Sequence, residues 1–210
     1  MLADKILPQA TPRNLGRALR PMPGESLSGD QHGCWCGTSR LRLAVADGLG
    51  HGVDAHRAAS AAIHYLSLAE RQPLPQLFSG CDQALLGTRG VALGVVDIDA
   101  AQGHLLHACV GNIRCLLLQP NRVQRLSGAR GIVGAGFSGL RPEVFPFAPG
   151  DWLVMFSDGI REDAGFADRL RSADPSDALA EELLARWAND HDDASLVLYR
   201  HAEGPITEAA

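Results

Sequence analysis

Between Gly90 and Ser127 the chain runs through "GVALGVVDID", "GHLLHACV", "NIRCLLLQ" and "RVQRLS", four strand-like segments separated by only a few residues. Connections that short reverse a strand but cannot carry the crossover that a parallel neighbour needs. The run therefore predicts an antiparallel meander, with Gly111-Asn112 as one of its hairpin turns. A chain of 210 residues, 46% of them hydrophobic, has enough apolar side chain to bury such a meander in one well-filled core.

Elements on either side extend the pattern. Residues 1–24 are rich in Pro and Arg and read as an irregular arm or lead-in. "LSGDQHGCWCG" and "LRLAVADG" read as two strands joined by a polar turn at Thr38–Arg40, a hairpin that delivers Asp30 near the start of one strand and Asp47 at the end of the next. Ala55, Ala58, Ala59, Ala62, Ile63, Leu66 and Ala69 recur at helical spacing and predict a helix with a small-sided apolar stripe; a second helix is expected over Leu74–Leu86. "DWLVMFSDG" is a further strand, "DPSDALAEELLARWAND" a helix with Asp174 as N-cap and Pro175 in its first turn, and "ASLVLYR" a closing strand. Strands, helices, strands, helix and strand in that order predict an α+β fold with antiparallel sheets. The folded body is expected over residues 25–201, with 202–210 as a tail.

A net charge of -5 provides no general attraction for nucleic acid or anionic lipid, and neither partner is expected. No apolar run approaches the ~18 residues that cross a bilayer, and the N-terminal stretch lacks the apolar core of a secretory signal. Five scattered cysteines in a chain of this size fit reduced thiols in a cytoplasmic protein. His32, Cys34 and Cys36 alternate at period two and share one strand face. They lack the second pair of ligands that structural zinc requires, so buried thiols are the expected reading.

The chemistry lies in the acids. Asp30 ("GD"), Asp47 ("ADG"), Asp158 ("SDG") and the Asp192-Asp193 pair each stand at a strand edge or beside a small residue. Any one Asp-Gly is accounted for by a turn. Several aspartates brought to one rim repel each other unless a divalent cation neutralises them, and hard oxygen ligands suit Mg²⁺ or Mn²⁺.

"LAVADGLGHG", "GVALGVVDI", "HACVGNIRCLLL", "APGDWLVMFSDGI" and "HDDASLVLYR", in this order, resemble the PPM-type metal-dependent serine/threonine protein phosphatases, in particular the compact bacterial branch represented by SpoIIE and RsbX. The resemblance spans about residues 25–200. It implies an α-β-β-α sandwich, two antiparallel sheets flanked by helices, with two Mn²⁺ or Mg²⁺ ions at one end. It further implies that Asp47 bridges the ions, that Gly48 lends its carbonyl directly or through water, and that Asp30, Asp158 and Asp192 are the remaining acids. Asp193 stays open between an orienting residue and a turn acid. Eukaryotic members often carry a His two residues after the bridging acid, where this chain has Leu49. His51 stands close by, and its role stays open between proton donor and turn residue.

The implied reaction is hydrolysis of phosphoserine or phosphothreonine by metal-activated water. The implied partner is a phosphorylated STAS-domain protein of a bacterial partner-switching or stressosome system; a weakly catalytic phosphoprotein-binding module and a small-molecule phosphoesterase are the alternatives. Phosphate-binding arginines are not assigned: Arg57, Arg114 and Arg161 are equally consistent with solvated surface charge. "GAGFSG", Gly134–Gly139, matches a dinucleotide-binding pattern in letters, but no strand leads into it and Pro142 interrupts any following helix.

Overall fold

The computed structural model describes residues 12–37, 40–204 and 206. Two five-stranded antiparallel sheets lie face to face. One has the spatial order β1 (Leu15–Arg20), β12 (Ala194–Arg200), β11 (Trp152–Phe156), β6 (Arg114–Gln119), β7 (Arg122–Leu126). The other runs β10 (Glu143–Pro146), β5 (His104–Val110), β4 (Val91–Asp99), β3 (Arg40–Gly48), β2 (Asp30–Cys36). Helices α1 (Gly52–Leu68) and α2 (Leu74–Ala84) cover the second sheet, while α3 (Ala164–Arg171) and α4 (Asp177–Trp187) cover the first. This is the expected α-β-β-α sandwich. Among the described residues no helix is long and apolar enough to cross a membrane.

Strands in the middle of such a stack are buried on both faces, and period two sends alternate residues to different cores. On β3, Leu41, Leu43 and Val45 enter the layer between the sheets, and Ala44 and Ala46 meet the helices. The alanine stripe of α1 lets that helix come very close: a Cβ on Gly48 would lie 2.2 Å from the carbonyl oxygen of Ala55. Each large aliphatic side chain so buried contributes about 1.5–3 kcal/mol.

Four expectations are corrected. β4 and β5 form a hairpin, as do β6 and β7, but Gly111-Asn112 carries the chain from one sheet to the other, so the four segments are not one meander. Short turns and apolar alternation predict chain reversal without saying whether the two strands share hydrogen bonds; here Cys109 and Cys115 face each other's sheets across the central layer. Residues 15–20, read as irregular lead-in, are β1, paired along its length with β12. Its arginines masked it: the Arg20 guanidinium donates to Asn189 O, far along the chain, and Asp177 accepts from the Arg17 backbone amide. The N-cap of α4 is Ser176, whose hydroxyl accepts from the Leu179 amide, and Asp174 instead pairs with Arg200. Helix α3 and strand β10 went unpredicted, and α2 ends at Ala84 rather than Leu86.

The β2–β3 pairing is as predicted, in a register that runs from Asp30 opposite Asp47 to Cys36 opposite Leu41; Thr38 and Ser39 of the expected turn lie outside the described residues. In the expected tail, Ile206 packs on the central core. Gly134–Gly139 falls in a small hairpin of β8 (Gly131–Ile132) and β9 (Gly136–Phe137), not a strand-to-helix turn.

Candidate metal centre at the end of the sandwich

The central apolar layer ends in a polar patch that follows from strand alternation alone. Along β2, Cys36 and Cys34 lead through His32 to Asp30; along β3, Leu43 and Val45 lead to Asp47. On β11, Leu153 and Met155 lead to Ser157 just past the strand, and on β12 Tyr199 and Val197 lead to Ser195. Four strands of two sheets thus change from apolar to polar on the same face at the same end. Burial keeps the neighbouring groups on β2 neutral, with His32 lowered to about 4 and the Cys34 thiol pushed up to about 12.

Asp30 and Asp47 are directly opposed in the antiparallel register, an arrangement that is destabilising when both are charged. Asp30 is buried; its amide donates to Ser28 Oγ at 3.1 Å, and its Oδ2 accepts from the Ser157 hydroxyl at 2.5 Å. Ser157 in turn accepts from the Ser195 amide at 3.0 Å. Desolvation raises Asp30 to about 7 against the opposing effect of the serines, and Asp192 and Asp193 add to the rise. Asp47 is raised further, to about 9, by burial and then by the charges of Asp30, Asp158 and Asp192. Asp192 is raised by burial and by Asp158.

Loops bring in the other acids. Asp158 follows β11 and accepts from the Asn112 side-chain amide at 2.7 Å. Asp192 precedes β12 and accepts from the Asp193 backbone amide at 2.9 Å. Asp47, Asp158 and Asp192 line one cavity of about 480 Å³ together with Leu49, Asn112 and residues 128–132. Asp30 lies deeper and does not line it. Gly48 sits against α1, its amide donating to Gly29 O at 3.1 Å. His51 is the N-cap residue of α1, and its half-exposed ring meets Glu25 Oε1 through Nδ1 at 2.7 Å. His51 does not line the cavity.

Asp193 is buried, and its Oδ1 accepts from the Met22 amide at 2.9 Å, so it ties the segment after β1 to the rim. The glycines after Asp47 and Asp158 have a packing reason, since a Cβ on Gly159 would lie 1.9 Å from Asp193 O. Sequence reasoning missed Ser157, Ser195, Asn112 and Arg130. The serines alternate in step with the core residues of β11 and β12, which is a usable signal; Asn112 and Arg130 had none. Arg57 pairs with Asp54, Arg114 donates to Ile160 O, and none of Arg57, Arg114 and Arg161 lines the cavity.

Hard oxygen donors from both sheets and two loops, with carboxyls raised by one another, fit a divalent cation site. Among the described residues no three His, Cys, Asp or Glu side chains stand close enough together to form a coordination shell.

This architecture is that of the PPM-type phosphatases. The chain superposes with a TM-score of 0.78 on RsbX in complex with magnesium, at 20% identity over 88% of this chain and 92% of that one. Against the PP2C phosphatase domain of SpoIIE from Bacillus subtilis the TM-score is 0.74 at 21% identity, covering 89% of this chain and 62% of that one. A structure from a study of the bacterial stressosome, as a modular system adapted to control secondary messenger signalling, gives 0.84 at 28% identity over 89% and 98%. Residues 37–202 match the family model for stage II sporulation protein E, SpoIIE, and the chain belongs to that family. It is also 29% identical over 98 residues to the phosphoserine phosphatase RsbX of Bacillus subtilis, covering 47% of this chain and 49% of that protein, so it spans about half the length of the curated relative it matches.

Proposed function

We infer that this chain is a metal-dependent phosphatase that hydrolyses phosphoserine or phosphothreonine on a protein, with Asp47, Asp158 and Asp192 holding two Mn²⁺ or Mg²⁺ ions. The observation that carries the reading is the convergence of these three carboxylates on one cavity, with Asp30 opposite Asp47 beneath them. Asp47 and the Gly48 carbonyl are the groups we assign to hold the ions at the end of β3, and Asp30, opposite Asp47, would contribute a further carboxylate. When bound, such ions activate water as a nucleophile and neutralise the phosphoryl oxygens.

The chain's own groups orient the ligands. Asn112 directs Asp158, the Asp193 amide directs Asp192, and Ser157 holds Asp30. His51, steadied by Glu25, is the group we assign to protonate the leaving oxygen.

The substrate we propose is a phosphorylated STAS-domain protein in a cytoplasmic partner-switching pathway. Family membership, the RsbX relative and the stressosome structure support that setting. Exposed Leu49, which lines the cavity, and exposed Val53 in the first turn of α1 support a macromolecular partner. The test compares phosphate release, with Mn²⁺ and with EDTA, from a phosphorylated STAS domain, its isolated phosphopeptide, nucleotides and sugar phosphates. Metal-dependent release fastest from the folded domain is expected. Equal turnover of the peptide removes the docking surface, and preference for a small ester overturns the protein-phosphatase reading.

A further inference from the structure

The cavity is bordered by a strap, residues 129–133, that is pinned at both ends. At one end the Gly111 amide donates to Ala129 O at 2.9 Å and the Ala129 amide to Cys109 O at 2.8 Å. At the other, Val91 and Val133 exchange two N–H to O bonds of 2.9 Å. Four backbone bonds therefore hold the strap across the rim-side ends of β5 and β4, one strand away from Gly48, which pairs with Val91.

Arg130 stands on this strap and lines the cavity that Asp47, Asp158 and Asp192 also line. It is exposed, and among the described residues no carboxylate or carbonyl engages its guanidinium. Arg89, which also stands near the rim, is committed to Leu49 O and Asp54, and does not line the cavity. Among the described residues Arg130 is the one cationic side chain in that lining.

A phosphomonoester has three terminal oxygens and close to two negative charges, and beside any ions held by the three carboxylates, a guanidinium that no neighbour neutralises is the group in the lining that can meet those oxygens. A guanidinium meets phosphate oxygens with two parallel N–H donors, which fixes orientation as well as charge. Resting on the phosphatase reading above, we propose that Arg130 is the phosphate-recognition residue of this chain. Its guanidinium binds the phosphoryl oxygens of the incoming phosphoserine or phosphothreonine, and the phosphate product after hydrolysis.

The test uses the whole chain loaded with Mn²⁺, inorganic phosphate as the binding probe and p-nitrophenyl phosphate as the substrate. Arg130→Ala is expected to weaken phosphate binding in calorimetry about tenfold or more, and to raise KM by a similar factor with a smaller fall in kcat. Mn²⁺ affinity stays at the wild-type value, and Arg130→Lys recovers part of the phosphate affinity. Arg122→Ala, which removes the same charge from the exposed start of β7, changes none of these. Wild-type phosphate affinity in Arg130→Ala, or a matching loss of Mn²⁺ binding, overturns the proposal. A wild-type protein that neither binds phosphate nor hydrolyses the ester with Mn²⁺ present overturns the phosphatase reading instead.

Discussion

Ser157 donates its hydroxyl hydrogen to Oδ2 of Asp30 at 2.5 Å, and this contact joins the end of a strand in one sheet to the start of a strand in the other. The same hydroxyl accepts from the Ser195 amide, so it is fixed from both sides. A donor fixed in this way favours the ionised carboxylate and opposes the desolvation that raises Asp30 to about 7.

Ser157→Ala leaves a buried carboxyl without that donor. Stability should fall by about 1–3 kcal/mol in urea denaturation. Asp30 should hold its proton to higher pH, so Mn²⁺ affinity by calorimetry should be weaker than wild type at pH 7 and approach it at pH 8.5. Equal affinities at pH 7 would show that Asp30 does not couple to the ions.

Asp47 is raised to about 9 in the fold from 3.8. Between those values the folded state binds more protons than the unfolded, so this group's contribution to stability is present at low pH and is lost as pH rises toward 9. Asp47→Asn removes the penalty. Without metal the variant should melt higher than wild type at pH 8–9, by about 2–8 °C, with a smaller difference near pH 5. Added Mn²⁺ should raise the wild-type melting temperature and leave the variant nearly unmoved. A metal-dependent rise equal in both proteins would place the ions elsewhere.

If His51 protonates the leaving oxygen, His51→Gln should slow a phosphoserine substrate by about a hundredfold and p-nitrophenyl phosphate far less, because that leaving group departs without a proton. Glu25→Gln should act in the same direction more weakly, since Glu25 only holds the ring. Uniform slowing of both substrates would assign His51 to folding or positioning.

Gly159 faces the Asp193 carbonyl so closely that a methyl group displaces backbone. Gly159→Ala should cost about 1–3 kcal/mol in denaturant melts. It should also weaken Mn²⁺ binding, because the displaced segment before β12 carries Asp192 and Asp193. Unchanged metal affinity would show that the rim tolerates movement of that loop.

Strand and helix periods, the acids at strand edges and the order of five short motifs were legible from the residues, because alternation and turn chemistry are local properties of the chain. They sufficed for the α+β class and for Asp30 and Asp47 on one hairpin. Which sheet each segment joins was not legible at Gly111-Asn112, where a turn that reads as a hairpin instead crosses between layers. Nor was β1, where Arg20 looks solvated until Asn189 O engages its guanidinium. Ser157 meets Asp30 across 127 positions, and Arg130 lines the same cavity as the acids because Ala129 and Val133 are pinned to β5 and β4. Tertiary structure decided these contacts for a physical reason: a buried carboxylate must find its donors wherever packing brings them, and packing between layers leaves no periodic trace in the sequence.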